Sequence, residues 1–216
     1  MNYIFDETQS TSLCKIMGEC GSDKGSENIC TSQHNYTTFY HSIFKDICNN
    51  ELRIFELGLG TNNINLPSNM GENGIPGASL YGWSNFFPNS YIFGADIDTN
   101  ILFNTDRIKT FYCDQTNPDI IKEMWNELDL QDNFDIIVED GLHRFTANAC
   151  FFENSIHKLK SNGYYIIENI NTCEEFLFQN KIKEWEIQYP DCSFTFLKIP
   201  STCNDLDNNL LVIFKS

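Results

Sequence analysis

The residues best suited to chemistry fall just after two apolar runs. FDIIV (134–138) is followed by EDGLH, and a second run closes as IIENI (166–170). Asp140 at the end of one strand and Glu168 with Asn169 at the end of the other can bring three oxygen donors together across the strand tips. Carboxylate and amide oxygens completed by water are the donor set Mg2+ takes, and Mn2+ is accommodated by the same set. No Cys or His cluster argues for zinc. His143 lies three residues beyond Asp140. As a neutral imidazole it could take a proton from a hydroxyl whose pKa a metal has lowered. The other reading of His143 is local, as a cap or lead-in to the helix expected from residue 145. Glu139 either faces the cleft or orients a neighbour.

Three further strand exits carry acids. ELGLG (56–60) places Glu56 before Gly58 and Gly60, which let the backbone approach a ligand. The third glycine of a dinucleotide fingerprint is absent, Asn63 standing in its place, and the loop 61–76 delays the following helix. An acid before G-x-G suits a ligand with a cationic or amine-bearing end. GADID (94–98) sets Asp96 where a carboxylate accepts hydrogen bonds from both hydroxyls of a ribose, with Asp98 as the alternative if the register shifts by two. CDQT (113–116) offers Asp114 and Gln115 to the polar edge of a base, or else to the cap of the next helix. Acids at five exits favour one shared site.

The elements that must position these groups alternate. Apolar runs at 53–57, 91–97, 108–113, 134–140 and 164–170 are rich in Ile, Val, Phe and Tyr without strict alternation. That is the pattern of parallel strands buried on both faces. Helical patterns fill the intervals 78–87, 118–128 and 145–159, with Phe145, Ala149, Phe152, Ile156 and Leu159 spaced to face the sheet. A further helix is expected over 174–186. Strands at 193–199 and 210–215 have no room for a helix between them and form an antiparallel pair. The expectation is an α/β fold: a Rossmann-like, mostly parallel seven-stranded sheet with helices on both faces and a final antiparallel strand pair. Residues 1–50 are less regular, a glycine-containing loop (GSDKG) and a helix from HNYTTFY covering one end of the sheet.

Bulk properties narrow the partners. The 216 residues hold 41% hydrophobic and 14% aromatic residues, enough for one domain with a sizeable core. Thirty acids against fourteen Lys and Arg, a formal charge of -16, make nucleic acid or an anionic membrane poor partners. Nine scattered cysteines without a C-x-x-C pair, and no secretory leader at the start, fit a reducing cytoplasm. No apolar stretch is long enough to cross a bilayer. A homo-oligomer remains compatible with the sequence.

GSDKG with HNYTTFY, then ELGLG, PGASLYGW, FGADID, IKTFYCDQT, FDIIVEDGLH and LKSNGYYIIENI, form an ordered set over about residues 20–170. This set resembles the class I S-adenosylmethionine-dependent methyltransferases, in particular the metal-dependent sugar O-methyltransferases related to macrocin O-methyltransferase. The resemblance implies a cofactor, S-adenosylmethionine, held by Glu56, Gly58 and Gly60 at its methionine and ribose portion, by Asp96 at the ribose, and by Asp114 and Gln115 beside the adenine. Asp23 and Lys24 would cover it, and Ser79 and Trp83 match a segment near it. Asp140, Glu168 and Asn169 would bind Mg2+, with His143 as general base. The implied division is an N-terminal cap over 1–50 integrated with a methyltransferase domain over 51–216. The implied acceptor is a sugar hydroxyl of a saccharide, a sugar nucleotide or a glycosylated metabolite, as in surface polysaccharide biosynthesis. Asn169 departs from the second acid usual in such relatives, Leu142 from a Ser or Asp, Tyr81 from an Arg and Asn162 from a Gly. Two rival readings are a nicotinamide-dependent sugar-modifying enzyme and a non-catalytic S-adenosylmethionine-fold binding module.

Overall fold

The computed structural model describes residues 3–6 and 8–216. Five parallel strands form from the five apolar runs: β1 (Arg53–Leu57), β2 (Tyr91–Asp96), β3 (Ile108–Tyr112), β4 (Phe134–Glu139) and β5 (Leu159–Ile167). The last two, β6 (Cys192–Lys198) and β7 (Asn209–Lys215), are antiparallel to each other, and β7 inserts antiparallel beside β5. The spatial order is β3-β2-β1-β4-β5-β7-β6. The expected strand count, directions and closing antiparallel pair are all present.

Successive residues of each central strand point to opposite faces, and both faces are buried. Phe55, Phe93 and Ile137 pack on one side with Trp125, Phe151, Phe152 and Trp185. These come from α4 (Pro118–Trp125), α5 (Phe145–Ser155) and α6 (Glu175–Gln188). Ile54, Ile92 and Val138 pack on the other side with Leu13, Met17, Phe39, Tyr40 and Trp83. Those belong to α1 (Ser12–Cys20), α2 (Tyr36–Phe44) and α3 (Ala78–Phe86). The N-terminal helices thus share the core of the sheet's second face.

Local chemistry explains where expectation and structure differ. Helix α1 was not anticipated, yet it has ordinary signals: the Thr11 hydroxyl accepts the Cys14 N–H, and Gly21 closes the helix at φ 82°. Strand β5 starts five residues before the run at 164 because Asn162, at φ 62°, and a register shift opposite Phe134 and Ile136 absorb the turn-like S-N-G within the strand. Helix α5 gives way at Ser155 to a single 3-10 turn leading straight into β5.

Sequence order runs outward from β1 through β2 to β3 on one side and from β4 to β5 on the other. The exits of β1 and β4 therefore lie side by side at the point where the strand order reverses, where open α/β sheets take their ligands. Hydrogen bonding continues past the strand ends: Gly58 donates to Ala95, Asp140 to Leu57 and Glu168 to Glu139, at 2.8, 2.8 and 2.9 Å. The exits are fixed to one another before any side chain is considered.

Candidate active site

A cavity of about 670 Å3 opens over this carboxyl edge. Its wall includes Asp23, Lys24, Gly58, Gly60, Ser79, Asp96, Asp114, Gln115, Asp140, His143 and Asn169, drawn from seven separate segments of the chain. Gly58 is required at its position. It sits at φ 91°, and a β-carbon there would lie 1.9 Å from the Asp140 carbonyl oxygen. The turn after β1 therefore presses directly against the turn that carries Asp140.

The buried centre of the site is an ammonium among acids. Lys24 Nζ lies 2.5 Å from Asp140 Oδ2, 2.6 Å from Glu168 Oε2 and 3.7 Å from Glu56 Oε1. Lys24 is 1% exposed, and Glu56 and Glu168 are fully buried behind the cavity wall. The second Glu168 oxygen accepts the Tyr40 hydroxyl, and Glu56 is held by the Ser79 hydroxyl and by Trp83 Nε1 at 2.5 Å. Burial opposes the charge on Lys24, but the three acids outweigh it and hold the ammonium well above its ordinary pKa. One ammonium cannot compensate three carboxyls. Burial, opposed by Lys24, leaves Glu168 pushed well up and Glu56 up, while Lys24 and His143 hold Asp140 well below the usual carboxylate range despite its burial.

His143 Nε2 stands 3.0 Å from Asp140 Oδ1. Asp140 is held ionised and can only accept, so Nε2 carries a proton, and in the neutral imidazole the lone pair is on Nδ1. Burial pulls this imidazole down, and the hydrogen bond and charge of Asp140 reverse that to a net upward shift. His143 and Asn169 both occupy the left-handed region, at φ 56° and 54°. Such backbone is uncommon outside glycine and is retained where surrounding contacts over-determine it. For Asn169 those contacts are visible: its N–H donates to Tyr36 Oη (3.2 Å), its Oδ1 accepts the same hydroxyl (3.3 Å), and its Nδ2 meets His34 Nε2 at 3.2 Å. Burial lowers the pKa of His34, which stacks on Tyr36.

Glu139 is fully buried and does not line the cavity. Its Oε1 accepts Gln115 Nε2 (2.9 Å) and the Gly141 N–H (3.3 Å), and its Oε2 accepts Asn148 Nδ2 (2.5 Å). Gln115 Oε1 in turn accepts the Leu142 N–H at 2.5 Å. Glu139 and Gln115 thus brace both sides of Asp140 and set the turn that presents His143. Burial pushes the Glu139 carboxyl up to about 7. Asp96 accepts the Leu59 N–H (2.7 Å) and the Asp98 N–H (2.8 Å), tying the exit of β2 to the G-x-G turn. Asp98 takes the Thr61 hydroxyl at 2.5 Å. Asp114 accepts the N–H and hydroxyl of Thr116, and Asn117 rather than Asp114 caps α4.

The sequence-derived residues thus fall into two groups. Asp23, Lys24, Gly58, Gly60, Ser79, Asp96, Asp114, Gln115, Asp140, His143 and Asn169 line one cavity, whereas Glu56, Glu168 and Trp83 stand behind its wall. Sequence reasoning passed over Tyr36, Tyr40 and His34, although HNYTTFY holds all three. Their signal is spacing: His34, Tyr36 and Tyr40 occur at intervals of two and four residues around a helix start, and each reaches the tip of β5. It also passed over Asn148, whose partner is the otherwise unassigned Glu139.

No family model matches the chain. It is 28% identical over 179 residues to demethylmacrocin O-methyltransferase of Streptomyces fradiae, covering 79% of this chain and 42% of that protein. It is 27% identical over 179 residues to mycinamicin VI 2''-O-methyltransferase of Micromonospora griseorubida, again covering 79% and 42%. The chain therefore spans less than half the length of these curated relatives. Among solved structures, MycE methyltransferase from the mycinamycin biosynthetic pathway, in complex with Mg, SAH and mycinamycin VI, superposes with a TM-score of 0.69 at 22% identity, over 96% of this chain and 55% of that one. The chain thus shares the fold of that methyltransferase structure. In sequence it is similar to O-methyltransferases that act on demethylmacrocin and mycinamicin VI.

Proposed function

We propose that this chain is an S-adenosylmethionine-dependent O-methyltransferase that methylates a sugar hydroxyl of a glycosylated metabolite. The observation that carries the reading is the Asp140–His143 pair at the sheet's switch point, opening into a cavity of about 670 Å3 that is also lined by the adjoining G-x-G turn and Asp96. That volume lies within the range of small-molecule and cofactor sites. The relatives' printed activities, O-methylation of sugar-bearing natural products, support the acceptor class.

In this reading Asp23, Ser79 and the Gly58–Gly60 turn would hold the cofactor's methionyl end, Asp96 its ribose hydroxyls, and Asp114 its base. Glu56 and Trp83 support that wall from behind, and Gln115 lines it beside Asp114. Neutral His143, through Nδ1, would take the acceptor proton while Asp140 holds the ring by Nε2; the cofactor, when bound, would supply a sulfonium methyl whose bond to sulfur breaks as the bond to the acceptor oxygen forms, leaving S-adenosylhomocysteine. Catalysis rests on alignment of donor and acceptor and on removal of the proton.

The donor chemistry also fits a divalent cation. Among the described residues no three His, Cys, Asp or Glu side chains form a metal-holding group, but Asp140 and Glu168 with the Asn169 amide make a set of oxygens. Three buried carboxyls share a single ammonium, and burial, only partly offset by Lys24, pushes Glu56 and Glu168 up. Asp140, Glu168 and Asn169 would hold Mg2+ or Mn2+, which when bound would polarise the acceptor hydroxyl and orient it. Residues 1–50 act in this reading as a cap on the same domain, supplying Asp23, Lys24 and His34 to the site.

Incubation of the purified chain with S-adenosylmethionine and a panel of glycosylated macrolides, simple glycosides and sugar nucleotides tests the proposal by mass spectrometry. A gain of one methyl on a sugar is the expected result, with the rate reduced by chelation and restored by Mg2+. Tight NADH binding with no binding of S-adenosylhomocysteine would overturn it.

A further inference from the structure

We infer that Lys24 is a built-in counter-ion for the acidic site, and that a divalent metal binds there only by driving the Lys24 ammonium off Asp140 and Glu168. The inference rests on the assignment of Asp140, Glu168 and Asn169 as the metal-holding set.

The geometry leaves little alternative for two cations. Lys24 Nζ touches Asp140 Oδ2 and Glu168 Oε2 together, at 2.5 and 2.6 Å, so it fills the space where those two carboxylates converge. The remaining oxygen of each carboxylate already has a donor, His143 on Asp140 and Tyr40 on Glu168, and the Asn169 oxygen has Tyr36. A second positive centre beside the ammonium would meet strong repulsion, because burial leaves little water to screen it.

The structure also provides for the displacement. The backbone around Lys24 is pinned: its carbonyl accepts the Thr37 N–H at 3.3 Å, and the Asp23 carbonyl accepts the His34 N–H at 3.1 Å. Gly25 is packed so closely on α2 that a β-carbon would fall 2.0 Å from the Thr37 hydroxyl. The loop stays, and the flexible four-carbon stem of the lysine is the part that can move. A third carboxylate, Glu56, lies only 3.7 Å from the ammonium and can retain it. Lys24 would thus supply part of the positive charge the acids need without a metal and set how strongly a metal must compete to enter.

The test uses Mn2+ alone as the probe, at pH 8 and without cofactor or acceptor. Binding is read by electron paramagnetic resonance and calorimetry in the wild type and in the Lys24→Met and Lys24→Gln variants. With the competing charge removed, both variants are expected to bind Mn2+ at least about tenfold more tightly than the wild type. Thermal unfolding should show them less stable than the wild type in chelator and raised further by Mn2+. As an independent reading that needs no variant, Mg2+ added to wild-type protein carrying 13Cε-labelled lysine should move one lysine signal and leave the others in place. Mn2+ affinity equal to or weaker than wild type in both variants, or no lysine signal that moves as the wild type loads, overturns the inference while leaving the metal site standing. Absence of Mn2+ binding in all three proteins removes the metal site itself, and the inference with it.

Discussion

Glu139→Gln should make the protein more stable at alkaline pH while leaving it nearly unchanged at acid pH. The wild-type carboxyl has an ordinary value of 4.5 and is pushed to about 7 in the folded protein by burial. A carboxyl raised in this way stabilises the fold while protonated; the contribution is complete below 4.5 and is lost between 4.5 and 7. The gap of about 2.5, at 1.36 kcal/mol for each, amounts to roughly 3 kcal/mol. The amide cannot ionise and escapes that loss. It can also keep the hydrogen bonds: its oxygen can accept from Gln115 and Gly141, and its NH2 can donate to Asn148 Oδ1, which has no partner in the wild type, once the Asn148 amide rotates. Urea unfolding of both proteins at pH 5, 6, 7 and 8 measures the difference directly. The stability difference in favour of E139Q should widen by about 2.5 kcal/mol between pH 5 and pH 8, mostly below pH 7. A difference that stays constant with pH would show that Glu139 ionises normally in the folded protein and would refute the account of this carboxyl.

Other outcomes follow from the same geometry. His143→Ala should lower methyl-transfer turnover by about 10²- to 10⁴-fold while S-adenosylhomocysteine affinity by calorimetry stays within about twofold, and unchanged turnover would remove its role as base. Tyr40→Phe strips the buried Glu168 of one donor and should cost about 1–3 kcal/mol in denaturant unfolding, with no loss if another group takes that oxygen. Phe55→Ala, at the centre of the ring cluster with Trp125, Phe134 and Phe151, should cost about 3–5 kcal/mol, and a loss below about 1 kcal/mol would mean that the cluster collapses into the space.

The strands and their directions were legible because burial on both faces forces continuous apolar runs, as in RIFEL and FDIIV, and the short polar interval before LLVIFK leaves no room for a crossover. The acids and glycines at the strand exits were legible for a related reason: a parallel sheet offers its ligand only that edge, so Asp96, Asp140 and the G-x-G turn had to meet. Helix α1 was legible in principle, its Thr11 and Gly21 caps being local signals.

What each acid does was decided only by the fold. By type and position Glu56, Glu139, Asp140 and Glu168 are alike, four carboxylates at neighbouring strand ends. The structure turns Glu139 inward to Gln115 and Asn148, and seals Glu56 and Glu168 around Lys24, leaving Asp140 to face both His143 and the cavity. Lys24 reaches Asp140 across 116 positions of sequence and Glu168 across 144, and Tyr40 reaches Glu168 across 128. Local pattern constrains which face of a strand or helix a residue occupies, because that depends on backbone geometry shared by near neighbours. The partner of a buried charge depends on which distant segment packs against it, and that is a property of tertiary structure alone.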